Sequence, residues 1–441
     1  MVSFKCLNKQ DLVMNLTQLV SILIVVILME CPAHAQIDTT FNKHALIYSD
    51  FLAIVGKNNL QLAAEKFTVS IAEASIENAK IFPNPQLYFG YFNTNQKRLA
   101  LGYGYIVNAT GTIELGGKRK ARIDLATNDV QLHQALLVNF FKNLRADATL
   151  AYLDAIKFKS IFDVKLGSYK SINHLARLDS IRFKAGAVTE IDARQSRVEA
   201  ISLLNETYRA EMEWKVSLAN LGFLLGKRPG DTLFVPIGRP DSLYRSFELE
   251  ELLVTAENNR ADLLAAMKNK NVAESNLNLV KANRVIDLGI TIGVNNTATS
   301  TSYFAPTPSF TQVSGALSVP LKFSNNYKGD LKIANYNIAQ ADVLYRQAEL
   351  QVQTEVTQAF FNYVAAGKQV KQFRTQLLSE AKFVLNGRTY SYQRGQSLLL
   401  EVLIAQRTNN EIQLNYLDAL YNYAAALVEL ERAAGIWDIN F

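Results

Sequence analysis

The chain has 441 residues, 49% of them hydrophobic and 20% charged, with a formal net charge of +6. So mild a basic balance over this length gives no case for a nucleic-acid partner. Only two cysteines are present, Cys6 and Cys31, so the body of the chain has neither a disulfide framework nor a thiolate metal site.

Residues 1–35 read as a signal peptide. Lys5 and Lys9 precede an apolar run at residues 19–29, and Ala33-His34-Ala35 forms an A-x-A cleavage site before Gln36. Cleavage there exports the mature protein from the bacterial cytoplasm. Asp11 and Glu30 are unusual in such a segment, which keeps an uncleaved N-terminal anchor open as an alternative. Met29-Glu30 is a poor lipobox for Cys31, because the lipoprotein peptidase requires small residues there, so lipidation is not expected.

Residues 36–228 read as a first structural repeat. A helix is expected over residues 44–81, then a β-hairpin over 85–108, introduced by Phe82-Pro83-Asn84-Pro85. Leu87, Phe89 and Tyr91 form one strand, residues 99–107 its partner, and the turn runs through 93–98. Gly116 and Gly117 turn the chain from strand to helix, and Lys118, Arg119, Lys120 and Arg122 follow at once. Two readings of these cations stand side by side: contact with lipid headgroup phosphates, or a solvated helix end.

A long helical hairpin is expected over residues 118–226. From Lys118 to Leu166 there is neither glycine nor proline, and Ile123, Val130, Leu137, Leu144, Ala151 and Phe158 recur every seven residues. That spacing keeps one apolar seam facing a neighbouring helix. The limb before Gly186 reaches roughly 100 Å at 1.5 Å per residue.

Residues 229–247, with three prolines, read as a linker, and residues 248–436 as a second copy followed by a tail at 437–441. Its expected parts are a helix over 248–284, a hairpin over 287–321 and a helical hairpin over 328–435. Ala126, Asp147, Thr149, Ala151 and Tyr152 recur 208 positions on as Ala334, Glu355, Thr357, Ala359 and Phe360. After a one-residue slip, Gly186, Ala210 and Gly226 recur as Gly395, Ala419 and Gly435. In the second hairpin Leu288, Ile290 and Ile292 alternate with small or polar residues, as do Val313 and Leu317.

Alternation suits two architectures: a soluble sheet capping a helical bundle, or strands that cross a bilayer with an oily outside and a polar inside. No mature segment offers the roughly 20 apolar residues of a membrane helix. Four strands cannot close, and an open edge in hydrocarbon leaves peptide groups unpaired, so a spanning sheet must be completed by other copies. Two chains give eight strands, whose interior fills with side chains; three give twelve, which leave a lumen. The expected fold is thus mainly α with membrane β: a tandem repeat of long helical hairpins forming a periplasmic α-barrel, with four strands per chain in a trimeric 12-stranded barrel. The lipid-facing residues are then Leu87, Phe89, Tyr91, Leu288, Ile290, Ile292, Val313 and Leu317.

The duplication, the leader, the Phe-Pro-Asn-Pro element, one hairpin per repeat and the Gly-x-x-x-x-x-Asp/Glu turns from Gly186 to Asp192 and Gly395 to Glu401 resemble the TolC-type outer-membrane efflux proteins over residues 40–436. Within that family, the run Thr112-Ile113-Glu114-Leu115-Gly116-Gly117-Lys118-Arg119-Lys120-Ala121-Arg122 is similar to the outer-membrane subunits of heavy-metal RND systems of the cobalt-zinc-cadmium and copper-silver type. The resemblance implies a homotrimer in the outer membrane, a periplasmic adaptor, an inner-membrane pump of RND type, and passive export, with heavy-metal cations as one cargo class. An outlet for drugs or for type I protein secretion is the alternative within the family, and a periplasmic coiled-coil scaffold the alternative outside it. The resemblance also places a resting gate at the two turns. Asp192 and Glu401 fall at acidic positions that form a cation-favouring ring, or simply begin the returning helices. Tyr392 falls where a gate tyrosine bonds an acid of the adjacent hairpin. Ser397 and Ile404 depart from the family pattern at an arginine link and a second acidic position.

No cofactor and no enzymatic chemistry are expected. Residues 112–119 fail the phosphate-loop pattern, because Thr112 replaces the first glycine and Arg119 follows the lysine. His44, His133 and His174 stand singly, without ligand spacing.

Overall fold

The structure, a computed structural model, describes residues 42–97, 99–228, 232–238, 245–323 and 327–439. The expected leader, with Cys6, Cys31 and the A-x-A site, lies outside the described residues, as do Arg98, Pro229 and Pro240. Residues 43–441 make one compact unit. It is mainly helical, and among the described residues no helix is long and apolar enough to cross a membrane.

Two copies of one motif follow each other. The first runs β1 (Asn42–Ile47), α1 (Tyr48–Asn58), α2 (Leu60–Lys80), β2 (Gln86–Asn93), β3 (Tyr103–Ile113), α3 (Lys118–Lys184) and α4 (Glu190–Leu224). The second runs β4 (Thr232–Ile237), α5 (Leu249–Asn259), α6 (Ala261–Asn283), β5 (Leu288–Thr297), β6 (Phe310–Ser318), α7 (Lys328–Gln372), α8 (Leu378–Gln393) and α9 (Leu399–Ala434). Between α7 and α8 the helix continues through a five-residue π turn, Phe373–Leu377. A π turn accommodates one extra residue without ending the helix. It falls where the repeat register slips from 208 to 209, so the slip is an insertion absorbed in place.

Several boundaries differ from the sequence expectation. The expected first helix is a strand plus two helices, broken at Asn59, whose backbone is extended (φ −64°, ψ 124°). The Asn59 side chain accepts from Leu62 N at 3.0 Å, capping α2, and donates to the Leu224 carbonyl at 3.2 Å. In the second copy Arg260 makes the same break (φ −70°, ψ 123°) and donates to the Ala433 carbonyl at 3.3 Å. The expected linker contains β4, which pairs with β1. The Tyr152 hydroxyl fastens that pair, 2.8 Å from the Leu46 carbonyl and accepting from Ile237 N at 3.1 Å. The second strand of the first hairpin is Tyr103–Ile113 rather than 99–107, because Gly102 (φ +84°) and Ala100 (φ +42°) prolong the turn.

Tyr152, Phe51, Leu218, Leu221, Val352, Val356 and Leu427 belong to one core cluster, which joins both copies around α1, α3, α4, α7 and α9. Two glycines lock the copies at matching points. At Gly226 (φ +65°) an added Cβ would lie 2.5 Å from the Asn58 carbonyl oxygen, and at Gly435 (φ +72°) it would lie 3.2 Å from the Asn259 backbone. We expect Gly226→Ala and Gly435→Ala each to lose about 1–3 kcal/mol through left-handed strain. The loss should be larger for Gly226→Ala, where the contact is tighter, as read by thermal unfolding in detergent.

Candidate functional site

The four long strands form one antiparallel sheet in the order β2-β3-β5-β6. Directly opposed residues share a face, so the register sorts the sheet into two surfaces. Leu87, Ala109, Ile292 and Gly315 lie in one row, and Phe89, Val107, Val294 and Val313 in the next. Gly111, Ile290 and Leu317 continue that apolar face. The other face carries Gln86, Thr110, Thr291 and Ala316, then Tyr88, Asn108, Gly293 and Ser314. All eight residues expected to face lipid fall on the apolar side. None of the described residues covers it: Leu87 is 75%, Val313 74% and Leu317 71% exposed. Within the described residues, the outer edges of β2 and β6 have no partner strand.

Where sheet meets helix, Gly116 (φ +74°) and Gly117 (φ +71°) make the turn. A Cβ on Gly116 would sit 2.5 Å from Val285. The headgroup reading of the next residues does not survive for Lys118. Its side chain is buried, and its ammonium lies 2.7 Å from both oxygens of Asp287. Burial opposes ionisation of Asp287, but Lys118 and the Leu115 N–H outweigh it and hold the carboxyl below its usual range. Arg119 donates to the Lys80 carbonyl at 2.7 Å and lies over the Phe82 ring, while Arg122 clasps Glu114. Only Lys120 of the four is left exposed. Lys118, Arg119 and Arg122 pin α3 to its own repeat and to the start of β5 in the other.

At the far end of the helices, the α3–α4 and α8–α9 turns share one geometry. Gly186 and Gly395 both have φ +72°. Their N–H groups donate to Phe183 and Tyr392 carbonyls at 2.9 Å, and the next N–H groups donate to Arg182 and Ser391 carbonyls. The side chains then diverge. Asp192 N donates to the Thr189 hydroxyl at 3.1 Å, and that hydroxyl donates back to the Asp192 carboxylate, so Thr189 caps α4 and Asp192 is held in its first turn. Glu401 instead pairs with Arg388 across its own hairpin at 2.9 Å. A ring of Glu401 carboxylates would therefore carry its counter-charge with it.

Tyr392 reaches across to the other hairpin. Its hydroxyl donates to Asp179 Oδ1 at 2.8 Å, with Tyr392 5% and Asp179 0% exposed. Asp179 Oδ2 is buried without a hydrogen bond; the nearby Ser196 hydroxyl donates to the Ala193 carbonyl. The Arg182 guanidinium lies over the Tyr392 ring at 5.1 Å and 3.9 Å from Asp179. Burial pushes the Asp179 carboxyl up, against the hydrogen bonds and Arg182, and Asp192 adds to the rise. Burial and the neighbouring Asp179 push the Tyr392 phenol up as well. A second link between the hairpins joins Arg407 to Glu199 through two contacts at 2.7 and 3.1 Å. Ser397 and Ile404 make no such link: Ser397 turns to the Arg388 carbonyl, and Ile404 is exposed.

The chain matches a family of proteins described as outer membrane efflux proteins over residues 54–227 and 252–436, one segment in each repeat. It belongs to the outer membrane efflux protein family. Among its relatives, the cobalt-zinc-cadmium resistance protein CzcC of Cupriavidus metallidurans is 23% identical over 385 residues, covering 87% of this chain and 88% of the relative. Nodulation protein T of Rhizobium leguminosarum biovar trifolii is also 23% identical, over 90% of this chain and 86% of its own length. Among solved structures, CusC superposes with a TM-score of 0.72 at 17% identity, covering 88% of this chain and 92% of that one. The family is one of transport channels rather than enzymes.

For this efflux protein, sequence reasoning named Tyr392 but missed Asp179, Arg388, Glu199 and Arg407. One signal was available. Asp179 aligns with Arg388 and Glu199 with Thr408 at the 209-residue shift, and such charge mismatches between repeats mark positions that do different work. Among the described residues, no group of three or more His, Cys, Asp or Glu side chains is placed to hold a metal ion.

The raised Asp179 carboxyl fixes the sign of the pH response. A folded value above the unfolded one gives stability that is full below the ordinary carboxylate range and lost as pH rises through the folded value. Protection of residues 172–184 and 399–406 from hydrogen exchange, taken relative to the intrinsic rate at each pH, should therefore be greatest in acid and fall toward neutrality, and Asp179→Asn should flatten that dependence. Tyr392→Phe leaves Asp179 buried without its donor, and exchange of the same segments should reveal a loss of about 1–3 kcal/mol of local stability.

Proposed function

We propose that this outer membrane efflux protein is the exit duct of a tripartite export system, built as a homotrimer whose twelve strands close a barrel through the outer membrane. The observation that carries the reading is the bare apolar face of the β2-β3-β5-β6 sheet, with its two unpaired edges and an opposite face made mostly of threonine, serine, asparagine, glutamine and glycine, with Tyr88, Phe92 and Ile106 among its few large side chains. Hydrocarbon tolerates such a face only if the edges are paired, and three copies pair all of them around a polar bore. The long helices continue the bore into the periplasm as a second tube, and the turns at Gly186 and Gly395 form its far tip. There the Tyr392–Asp179 and Arg407–Glu199 bonds hold neighbouring hairpins together at rest.

The duct stores no energy. An inner-membrane pump of RND type drives the cargo, a periplasmic adaptor docks on the tip, and opening is a shift of the hairpins past one another. Residues 1–35 act as a cleaved leader that delivers the chain to the outer membrane. The run from Thr112 to Arg122 and the relatedness to a cobalt-zinc-cadmium resistance protein support heavy-metal cations as cargo.

Two measurements test this. In fractionated cells the protein should sediment with the outer membrane and need detergent for release; recovery in the soluble periplasmic fraction overturns the membrane reading. A strain lacking the gene should become sensitive to cobalt, zinc, cadmium, copper or silver, whereas sensitivity to drugs alone reassigns the cargo.

A further inference from the structure

One place in the fold is filled in the first repeat and open in the second. In the first, between α3 and α4, Phe162 and Trp214 stack with ring centres 5.7 Å apart and planes at 18°. The Lys159 ammonium lies over both rings, at 5.5 and 5.1 Å, and pairs with Asp163. Trp214 is 5% exposed. The chain's own side chains therefore occupy this site and supply its counter-charge.

Lys159 and Phe162 recur 208 positions on as Gly367 and Val370, and Trp214 recurs 209 positions on as Tyr423. Each exchange removes atoms. The remaining ring is engaged elsewhere: Tyr423 stacks on Tyr363 at 5.1 Å between centres, their hydroxyls 2.8 Å apart, and the Tyr363 hydroxyl also holds the Arg245 N–H and carbonyl. What is left is a cavity of about 400 Å³, lined by Gly367, Val370, Lys371, Arg374, Leu420 and Tyr423 among others. A second cavity of about 320 Å³ shares Gly367, Lys371 and Tyr423 with it and adds Phe247, Phe360 and Val364.

Charge changes sign along with the packing. Asp163 and Glu211 of the first repeat match Lys371 and Leu420 of the second. Lys368, Lys371 and Arg374 follow at three-residue spacing along one side of α7 and its π turn, and all three are exposed. Like charges so placed repel. Among the described residues no carboxylate lines either cavity, and Arg245, which borders the second, is already held by Glu431 and Asp438. An apolar and aromatic floor with a few convergent polar groups is the form that small-molecule sites take. Arg374 and Thr375 come from the π turn, an irregularity frequent at functional positions.

We infer that these joined cavities bind a small organic anion, its aromatic body against Val370, Leu420 and Tyr423 and its carboxylate or sulfonate at Lys371. The body takes the room that the Phe162 and Trp214 rings and the Lys159 stem fill in the first repeat. The anion supplies the counter-charge that Asp163 supplies there. Bound, it bridges α7, α9 and the segment at residues 245–247 immediately before the π turn, and so braces the helix where its register changes. The site stands well along α7 from both the sheet and the Gly395 turn, and it holds whether or not the protein is an export duct.

The test is equilibrium dialysis of naphthalene carboxylate against the full-length protein in a non-ionic detergent, with the detergent alone as blank. Uptake should saturate at one molecule per chain. Naphthalene carboxamide, the same body without the charge, should bind roughly tenfold more weakly, and Lys371→Gln should weaken the carboxylate by a similar factor. Gly367→Lys with Val370→Phe restores the side chains of the first repeat and should abolish saturable uptake, with thermal unfolding showing that the variant folds. Where it does not fold, Lys371→Gln, a change at an exposed position, decides alone. Lys382→Gln removes an exposed cation farther along α8 and should leave the affinity unchanged. Uptake that never exceeds the blank overturns the inference. Equal affinity for the carboxamide, an unaltered affinity in Lys371→Gln, or an equal loss in Lys382→Gln overturns it too.

Discussion

Among the described residues, the outer edges of β2 and β6 carry peptide groups that no other strand pairs, and the sheet between them has an apolar face that no helix covers. In water, either feature alone invites aggregation. In a bilayer the face becomes an asset and the edges become the whole difficulty, because each unpaired group in hydrocarbon costs several kcal/mol. A single chain has no answer to that cost. The proposed ring of three copies answers it without any further element. On the opposite face, β3, β5 and β6 bring mostly glycine, serine, threonine and asparagine to the central rows, while β2 contributes the larger Gln86 and Tyr88.

The sheet has to be held at a fixed attitude to the helices for that arrangement to work, and polar contacts at the collar do this. Asp287 receives both the Lys118 ammonium and the Leu115 N–H, joining the end of the first hairpin to the start of the second. From Lys118 onward α3 is a single helix of 67 residues. Midway it passes the Tyr152 core, where β1, β4 and both Asn-Asn and Asn-Arg helix breaks are gathered. The breaks at Asn59 and Arg260 let α1 and α5 turn away while their side chains tie the returning ends of α4 and α9. The molecule is therefore stiff at the collar and at the middle. Freedom is left to the tip, where a smaller cluster and a few polar bonds join the hairpins.

Much of this was legible because duplication is a strong signal and long helices are defined by what they exclude. The glycines at 116–117, 186 and 226, with no proline from Lys118 until Pro229, marked α3 and α4 almost to the residue, and alternation in β5 and β6 sorted their side chains onto two faces. The misses have physical causes. β4 is a short edge-type strand in a proline-rich segment, and it exists only because β1 lies alongside it. The break at Asn59 is invisible to periodicity, since apolar spacing continues through it and only the cap and the Leu224 carbonyl require it. β3 began late because Tyr103 follows a turn that uses Ala100 at positive φ, which no rule favours for alanine. The Lys118 pairing was hidden because its partner lies in the other repeat.

The tip shows how a closed state can be specific without being deep. Tyr392 gives Asp179 one hydrogen bond to a charged group, worth about 1.5–3 kcal/mol in general. Against it stands a carboxylate that is fully buried, with its second oxygen unbonded and Asp192 close by. Desolvation of such a group is of the same order as the bond it accepts. The net gain from closing is then small even though the geometry is demanding, since removing either partner leaves the other stranded. That combination selects one closed arrangement and still lets modest binding energy from a docking partner open it. A tip closed purely by leucines would be harder to open and less particular about how it shut.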